Sequence, residues 1–268
     1  MSTLTPIHVR HHSNTQGIGL ATACRLLQEG ATVLISSRKQ SSVDEALEHL
    51  RQQPHVDPSR VAGVVCHVGK REDIVSLVES ACRFARSSRS TPVSGSKLID
   101  IVVSNAAVNP AAGPILETDM SVVDKVLDVN LKSAIELIKE VRPHLKSRAS
   151  IVFVSSYTAY SPSPPIGMYA VSKTALLGLT RALAEELGAT EDRIRVNAVA
   201  PGIVPTKFSH ALVASDEGRE HFKALTMLKD LGTPGEIASV IAFLSSEDAS
   251  YVTGETVLVA GGMVASRL

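Results

Sequence analysis

Short apolar runs alternate along this chain with longer segments of helical period, and that alternation limits the fold more than any other feature. The β-rich runs are "ATVLISS" (31–37), "VAGVVCHV" (61–68), "LIDIVVSNAA" (98–107), "SIVFVSS" (150–156), "IRVNAVAPG" (194–202) and "ETVLVAGG" (255–262). Between them lie "SVDEALEHLRQQ", "REDIVSLVESACRFA" and "VVDKVLDVNLKSAIELIKEV", whose apolar residues recur at helical spacing. Strands apolar nearly throughout are buried on both faces, which calls for a parallel sheet covered by helices on each side. The pattern predicts an α/β fold, a doubly wound, mostly parallel sheet in a single domain over 1–268. The segment "RSSRSTPVSGSK" (86–97) reads as an exposed loop inserted between a helix and the next strand.

Charge excludes some partners. Lys plus Arg equals Asp plus Glu at 27 each, so there is no basic surplus to attract nucleic acid or an anionic membrane. No apolar run approaches the length of a membrane span, and the N-terminus lacks the apolar core of a signal peptide. Cysteine is sparse and odd in number (Cys24, Cys66 and Cys82), which points to a reducing compartment without a disulfide framework and to thiols used as small core residues.

In a doubly wound sheet, ligands bind outside the carboxyl ends of the strands, where the strand order reverses. The stretch Gly17, Ile18, Gly19 suits such a place. Gly17 would admit a pyrophosphate close to the backbone, Gly19 would let the following helix pack closely on the sheet, and the helix N-terminus would offer N–H groups to the phosphates. The next predicted strand ends in Ser36, Ser37, Arg38 and Lys39, where an NAD site would carry Asp or Glu for the ribose 2′-hydroxyl. Small hydroxyls followed by cations fit a 2′-phosphate instead, so the expected cofactor is NADP(H).

Of the four tyrosines only Tyr169 has a lysine four residues on, Lys173, which places the two side chains on one face of a helix. An ammonium beside a phenol favours the phenolate and is expected to lower the tyrosine pKa toward a useful acid–base range. Ser156 closes the strand "SIVFVSS", thirteen residues before Tyr169.

This ordered set, from about Gly17 to the C-terminus, resembles the short-chain dehydrogenase/reductase family. The family's Asn-Ala-Gly motif corresponds to "SNAA" (104–107), its helix asparagine to Asn130, its serine, tyrosine and lysine to Ser156, Tyr169 and Lys173, and its Pro-Gly and following threonine to Pro201, Gly202 and Thr206. Within the family, "SSRKQ" (36–40), "CHVGK" (66–70), "SNAAVNP" (104–110), "VSKTALLGLT" (171–180) and "SEDASYVTGET" (246–256) are similar to the peroxisomal NADPH-dependent carbonyl and retinal reductase group. The resemblance implies reduction of ketones or aldehydes, with Ser156 stabilising the carbonyl oxygen, Tyr169 as general acid, Lys173 tuning Tyr169 and holding the nicotinamide ribose, and Asn130 holding a water that links Lys173 to solvent. It also implies cofactor contacts from His67 and Val68 after the third strand and from Asn105 and Ala106 after the fourth. A substrate lid over 203–230 and a homo-oligomer, commonly a tetramer, follow from it too. The final "SRL" (266–268) resembles a peroxisomal address, and outside the peroxisome the expectation is cytoplasmic.

The opening departs from the family. Residues 1–16 are atypical: the first strand would be centred on His8, Val9, Arg10 and His11, with His12 and Ser13 where the family has Thr and Gly. Burying Arg or charged His without partners is costly, so this segment is expected either not to form the first strand or to form a poor one. The short lead-in fits an alternative first exon or a misassigned start. His8, His11 and His12 lack Cys or carboxylate partners at ligand spacing, so no metal is expected. Two readings result. One is an active carbonyl reductase of a small-molecule substrate, and the other a weak or inactive assembly or regulatory subunit whose cofactor-binding strand is disrupted.

Overall fold

Each of the six apolar runs contains a strand, and a seventh strand forms before them. The computed structural model describes residues 6–9, 17–88 and 95–263. Its strands are β1 (Pro6–Val9), β2 (Val33–Ser37), β3 (Val61–Val65), β4 (Ile99–Ser104), β5 (Leu145–Val154), β6 (Arg195–Pro201) and β7 (Thr256–Val259). They pair in parallel in the order β3-β2-β1-β4-β5-β6-β7, so the order reverses between β1 and β4. The helices are α1 (Ile18–Gln28), α2 (Gln40–Arg51), α3 (Arg71–Ser87), α4 (Met120–Leu127), α5 (Ser133–Val141), α6 (Gly167–Gly188), α7 (His210–Val213), α8 (Asp216–Ala224) and α9 (Pro234–Ser245).

The continuous apolar runs are explained by two cores, one on each face of the sheet. Along β5, Ile151 and Phe153 join the core shared with α3, α5 and α6, whereas Val152 and Val154 join the core shared with α1, α2 and α9. Strand side chains alternate between faces, so a sheet covered on both sides needs apolar residues at every position. Cys66 and Cys82 are buried in the first of these cores, and burial, helped by the charge of Asp73, pushes the Cys66 thiol up to about 12. Such a thiol is core filler rather than a nucleophile.

Three features correct or extend the reading of the sequence. Pro6–Val9 does form the first strand, paired on both sides, with His8 in register with Ile35 and Val103. Arg10, His11, His12 and Ser13 lie outside the described residues, as do 89–94 of the expected loop and the C-terminal 264–268. Of that loop, Arg86 and Ser87 belong to α3 and 95–97 are exposed. Next, β5 starts five residues before the predicted run, through a bulge: Ile99 pairs with Leu145 but Ile101 with Ser150, and Arg148 takes a left-handed conformation with φ 64°. The single helix expected over 122–141 is broken by a π-helical turn, Asp128–Lys132, between α4 and α5. No helix among the described residues is long and apolar enough to cross a membrane.

Candidate active site

The carboxyl ends of the parallel strands bring the predicted residues to one edge of the sheet, at the point where the order reverses. Gly17 caps α1 in an extended conformation, with Ile18 opening the helix and Gly19 buried within it. Ser37 closes β2, followed by the half-buried Arg38 and the exposed Lys39, which caps α2. The hydroxyl of Ser36, one residue earlier, is buried without a hydrogen-bond partner among the described residues. Arg38 follows two residues on, and a cation just after small hydroxyls at a strand end is chemistry suited to a phosphate ester.

The other predicted cofactor residues stand at neighbouring strand ends. His67 follows β3; its N–H donates to Asp73 Oδ2 at 2.7 Å, and its Nδ1 accepts from Gly69 N–H at 3.3 Å. Val68 is buried in the core with α3, and its side chain serves packing. Asn105 and Ala106 follow β4 directly. Pro201 ends β6, and Gly202 is explained by packing, because a Cβ there would come within 2.8 Å of Ala260 Cα. Thr206 lies in the loop beyond, its N–H donating to Ser209 Oγ at 3.0 Å.

At the end of β5 the predicted catalytic residues converge. Ser156 follows the strand in extended backbone and caps the short turn Tyr157–Ala159. Tyr169 and Lys173 sit one helical turn apart near the start of α6, and only 8% and 1% of their surfaces are exposed. Lys173 Nζ donates to Val154 O at 2.8 Å and lies 5.6 Å from the centre of the Tyr169 ring. Ser155 Oγ donates back to Lys173 O at 2.8 Å, so β5 and α6 are tied in both directions.

Burial governs the ionisation of this pair, and here the expectation of a lowered tyrosine is corrected. Desolvation pushes Tyr169 well above the ordinary phenol range; a hydrogen bond with Ser156 opposes it and nearby Tyr157 adds to it. Desolvation also brings Lys173 down to about 7. A lysine lowered in this way carries less of the positive charge that would favour a phenolate. Burial thus favours the neutral phenol at Tyr169 and the neutral amine at Lys173.

Asn130 is placed by the π-helical turn, where it is buried with both amide donors and its oxygen hydrogen-bonded. Its Oδ1 accepts from Val108 N–H at 2.7 Å; its Nδ2 donates to Val108 O and to Ser172 Oγ, each at 3.0 Å. Ser172 Oγ in turn donates to Tyr169 O at 2.7 Å. Asn130 thus fastens the loop after β4 to the helix that carries Tyr169 and Lys173, consistent with the tendency of π-turns to occur at functional sites.

Sequence reasoning missed Ser172, Thr158 and Phe208. Thr158 is buried and contacts Ser156, and Phe208, nearly half exposed, tilts its ring against Tyr169 with centroids 5.4 Å apart. Serine and threonine are too common to mark a site by type alone, and the contact of Phe208 depends on the path of the loop ahead of α7. The Ser156–x–Thr158 spacing of a hydroxyl turn was the one available signal.

Comparison with known proteins agrees with this geometry. The sequence model of a family described as enoyl-(acyl carrier protein) reductase matches residues 12–264. The chain is 49% identical over 250 residues to tropinone reductase-like 3 of Erythroxylum coca, covering 93% of this chain and 90% of that protein. It is 46% identical over 252 residues to dehydrogenase/reductase SDR family member 4 of Homo sapiens, covering 93% and 84%. Among solved structures, the short-chain dehydrogenase/reductase "SDR:Glucose/ribitol dehydrogenase" of Brucella melitensis superposes with a TM-score of 0.84 at 31% identity, over 98% of each chain.

Proposed function

This chain belongs to the short-chain dehydrogenase/reductase family of oxidoreductases, and on that premise we propose that it reduces the carbonyl group of a small ketone or aldehyde with NADPH. The observation that carries the reading is the convergence of Ser156, Tyr169 and Lys173 at the end of β5, the last two buried together with their ionisation set by that burial. One similar protein is a tropinone reductase-like protein, in keeping with a ketone as substrate. Pairing of β1 on both sides favours a working cofactor cleft over an inactive subunit.

Gly17 and the first turn of α1 would hold the cofactor pyrophosphate, and Ser36, Ser37 and Arg38 the 2′-phosphate. When bound, the reduced nicotinamide supplies hydride to the carbonyl carbon. Ser156 donates a hydrogen bond to the carbonyl oxygen as negative charge builds there. Tyr169, whose proton is retained by burial, gives it to that oxygen as general acid. Lys173, poised near neutrality, returns a proton to Tyr169 and would hold the nicotinamide ribose. Asn130 keeps the loop after β4 and the catalytic helix in register through Val108 and Ser172. The same reading takes the protein as a homo-oligomer and the final Ser-Arg-Leu as a peroxisomal address.

Titration with NADPH and with NADH, followed by fluorescence, tests the cofactor assignment. NADPH is expected to bind more tightly, and Arg38→Ala to weaken NADPH by about 10–100-fold, the loss of one charge-assisted phosphate contact, with little change for NADH. Equal affinity for the two cofactors, or an Arg38→Ala variant that binds NADPH normally, would overturn it.

A further inference from the structure

In the reaction proposed above, Ser156 must donate its hydroxyl proton, yet a serine hydroxyl can equally accept. It has one proton and two lone pairs, and neighbouring donors decide which it offers. Both lone pairs meet donors from one residue: Thr158 N–H reaches Ser156 Oγ at 3.2 Å and Thr158 Oγ1 reaches it at 2.9 Å. Thr158 is 1% exposed, so water does not compete for either bond. The backbone bond belongs to the turn itself and any residue but proline at 158 would supply it. The second bond requires a hydroxyl side chain.

We infer that Thr158 is a positioning residue for catalysis: by filling the second lone pair of Ser156 Oγ it fixes Ser156 as a donor, with its single proton left for the substrate oxygen. The inference rests on the function proposed above. Without the Thr158 hydroxyl, Ser156 has a lone pair open to the Tyr169 O–H. The tyrosine proton would then be held by the serine instead of being presented to the carbonyl.

The test compares Thr158→Val, which keeps the shape and loses the hydroxyl, with Thr158→Ser, which keeps the hydroxyl, in the wild-type and Ser156→Ala backgrounds. Thr158→Val is expected to lower kcat by about 3–10-fold with KM and NADPH affinity little changed, less than the ~10²–10³ typical of deleting a donor outright. Thr158→Ser should restore kcat. In the Ser156→Ala background Thr158→Val should have no further effect on kcat, since the pair acts as a unit. A Thr158→Val enzyme with wild-type kcat overturns the inference. So does an equal loss in both backgrounds, or an equal loss in the Val and Ser variants, because those are the marks of a packing role. A wild-type chain that reduces no carbonyl with either cofactor overturns the proposed function, and the role of Thr158 with it.

Discussion

Tyr169→Phe lowers carbonyl reduction by about 10²–10⁴-fold, the range of a lost general acid, while NADPH affinity stays nearly unchanged. The substitution removes one oxygen and preserves the ring that packs against Phe208 and lies beside Lys173. Initial rates of NADPH consumption with a ketone give the first quantity and fluorescence titration the second. Because Tyr169 is buried and titrates well above the ordinary phenol range, the wild-type rate should not fall between pH 7 and 9 through loss of the tyrosine proton. A Phe variant with full turnover would remove Tyr169 from the mechanism.

Lys173→Met has two opposed effects. Activity is expected to be lost, because the group proposed to return the proton and to hold the nicotinamide ribose is gone. Stability of the free protein rises. Lys173 donates to the Val154 carbonyl with no carboxylate among the influences on it, and burial brings it down to about 7, far below an ordinary lysine. The sign follows from linkage: below about 7 both native and unfolded chains carry the proton, and the desolvation cost of the native ammonium is felt in full. Above that point the native amine is neutral while the unfolded lysine remains charged, so the cost fades as pH climbs toward the ordinary lysine value. The gain from methionine should therefore be largest at pH 6 and small near pH 10, each kcal/mol raising the unfolding midpoint by about 2–4 °C in a chain of this size. Thermal melts of both proteins at the two pH values measure it. A variant less stable than wild type at pH 6 would contradict the assigned ionisation. A variant more stable than wild type at pH 6 would make the buried lysine an example of stability given up for function.

Different parts of this account were legible in the sequence for different physical reasons. The strands β2 to β7 could be read because burial on both faces leaves an apolar run that no surface segment has. β1 could not, because His8 and the Arg10, His11 and His12 that follow obscure the apolar Ile7 and Val9. A strand between β2 and β4 is held by backbone pairing on both edges, which is indifferent to whether His8 is an apolar residue. The π-turn around Asn130 left no mark in hydrophobic period, since α4 and α5 continue the same apolar stripe on either side. Ser156, Tyr169 and Lys173 were legible because the helix fixes the spacing of the last two and the strand end fixes the first. Their ionisation was not, because it depends on burial that only the assembled fold creates. Thr158 and Ser172 escaped notice for a third reason: their role lies in the direction of their hydrogen bonds, which residue type alone does not give.

The most direct test of the central claim follows an isotope. The protein is incubated with NADPH deuterated at the transferring C4 position and a ketone, and the alcohol product is analysed by mass spectrometry. One deuterium is expected on the carbinol carbon of the product from the wild-type chain, and almost none from Tyr169→Phe over the same time. A folded, NADPH-binding wild-type chain that yields no labelled alcohol from any ketone or aldehyde offered would contradict it.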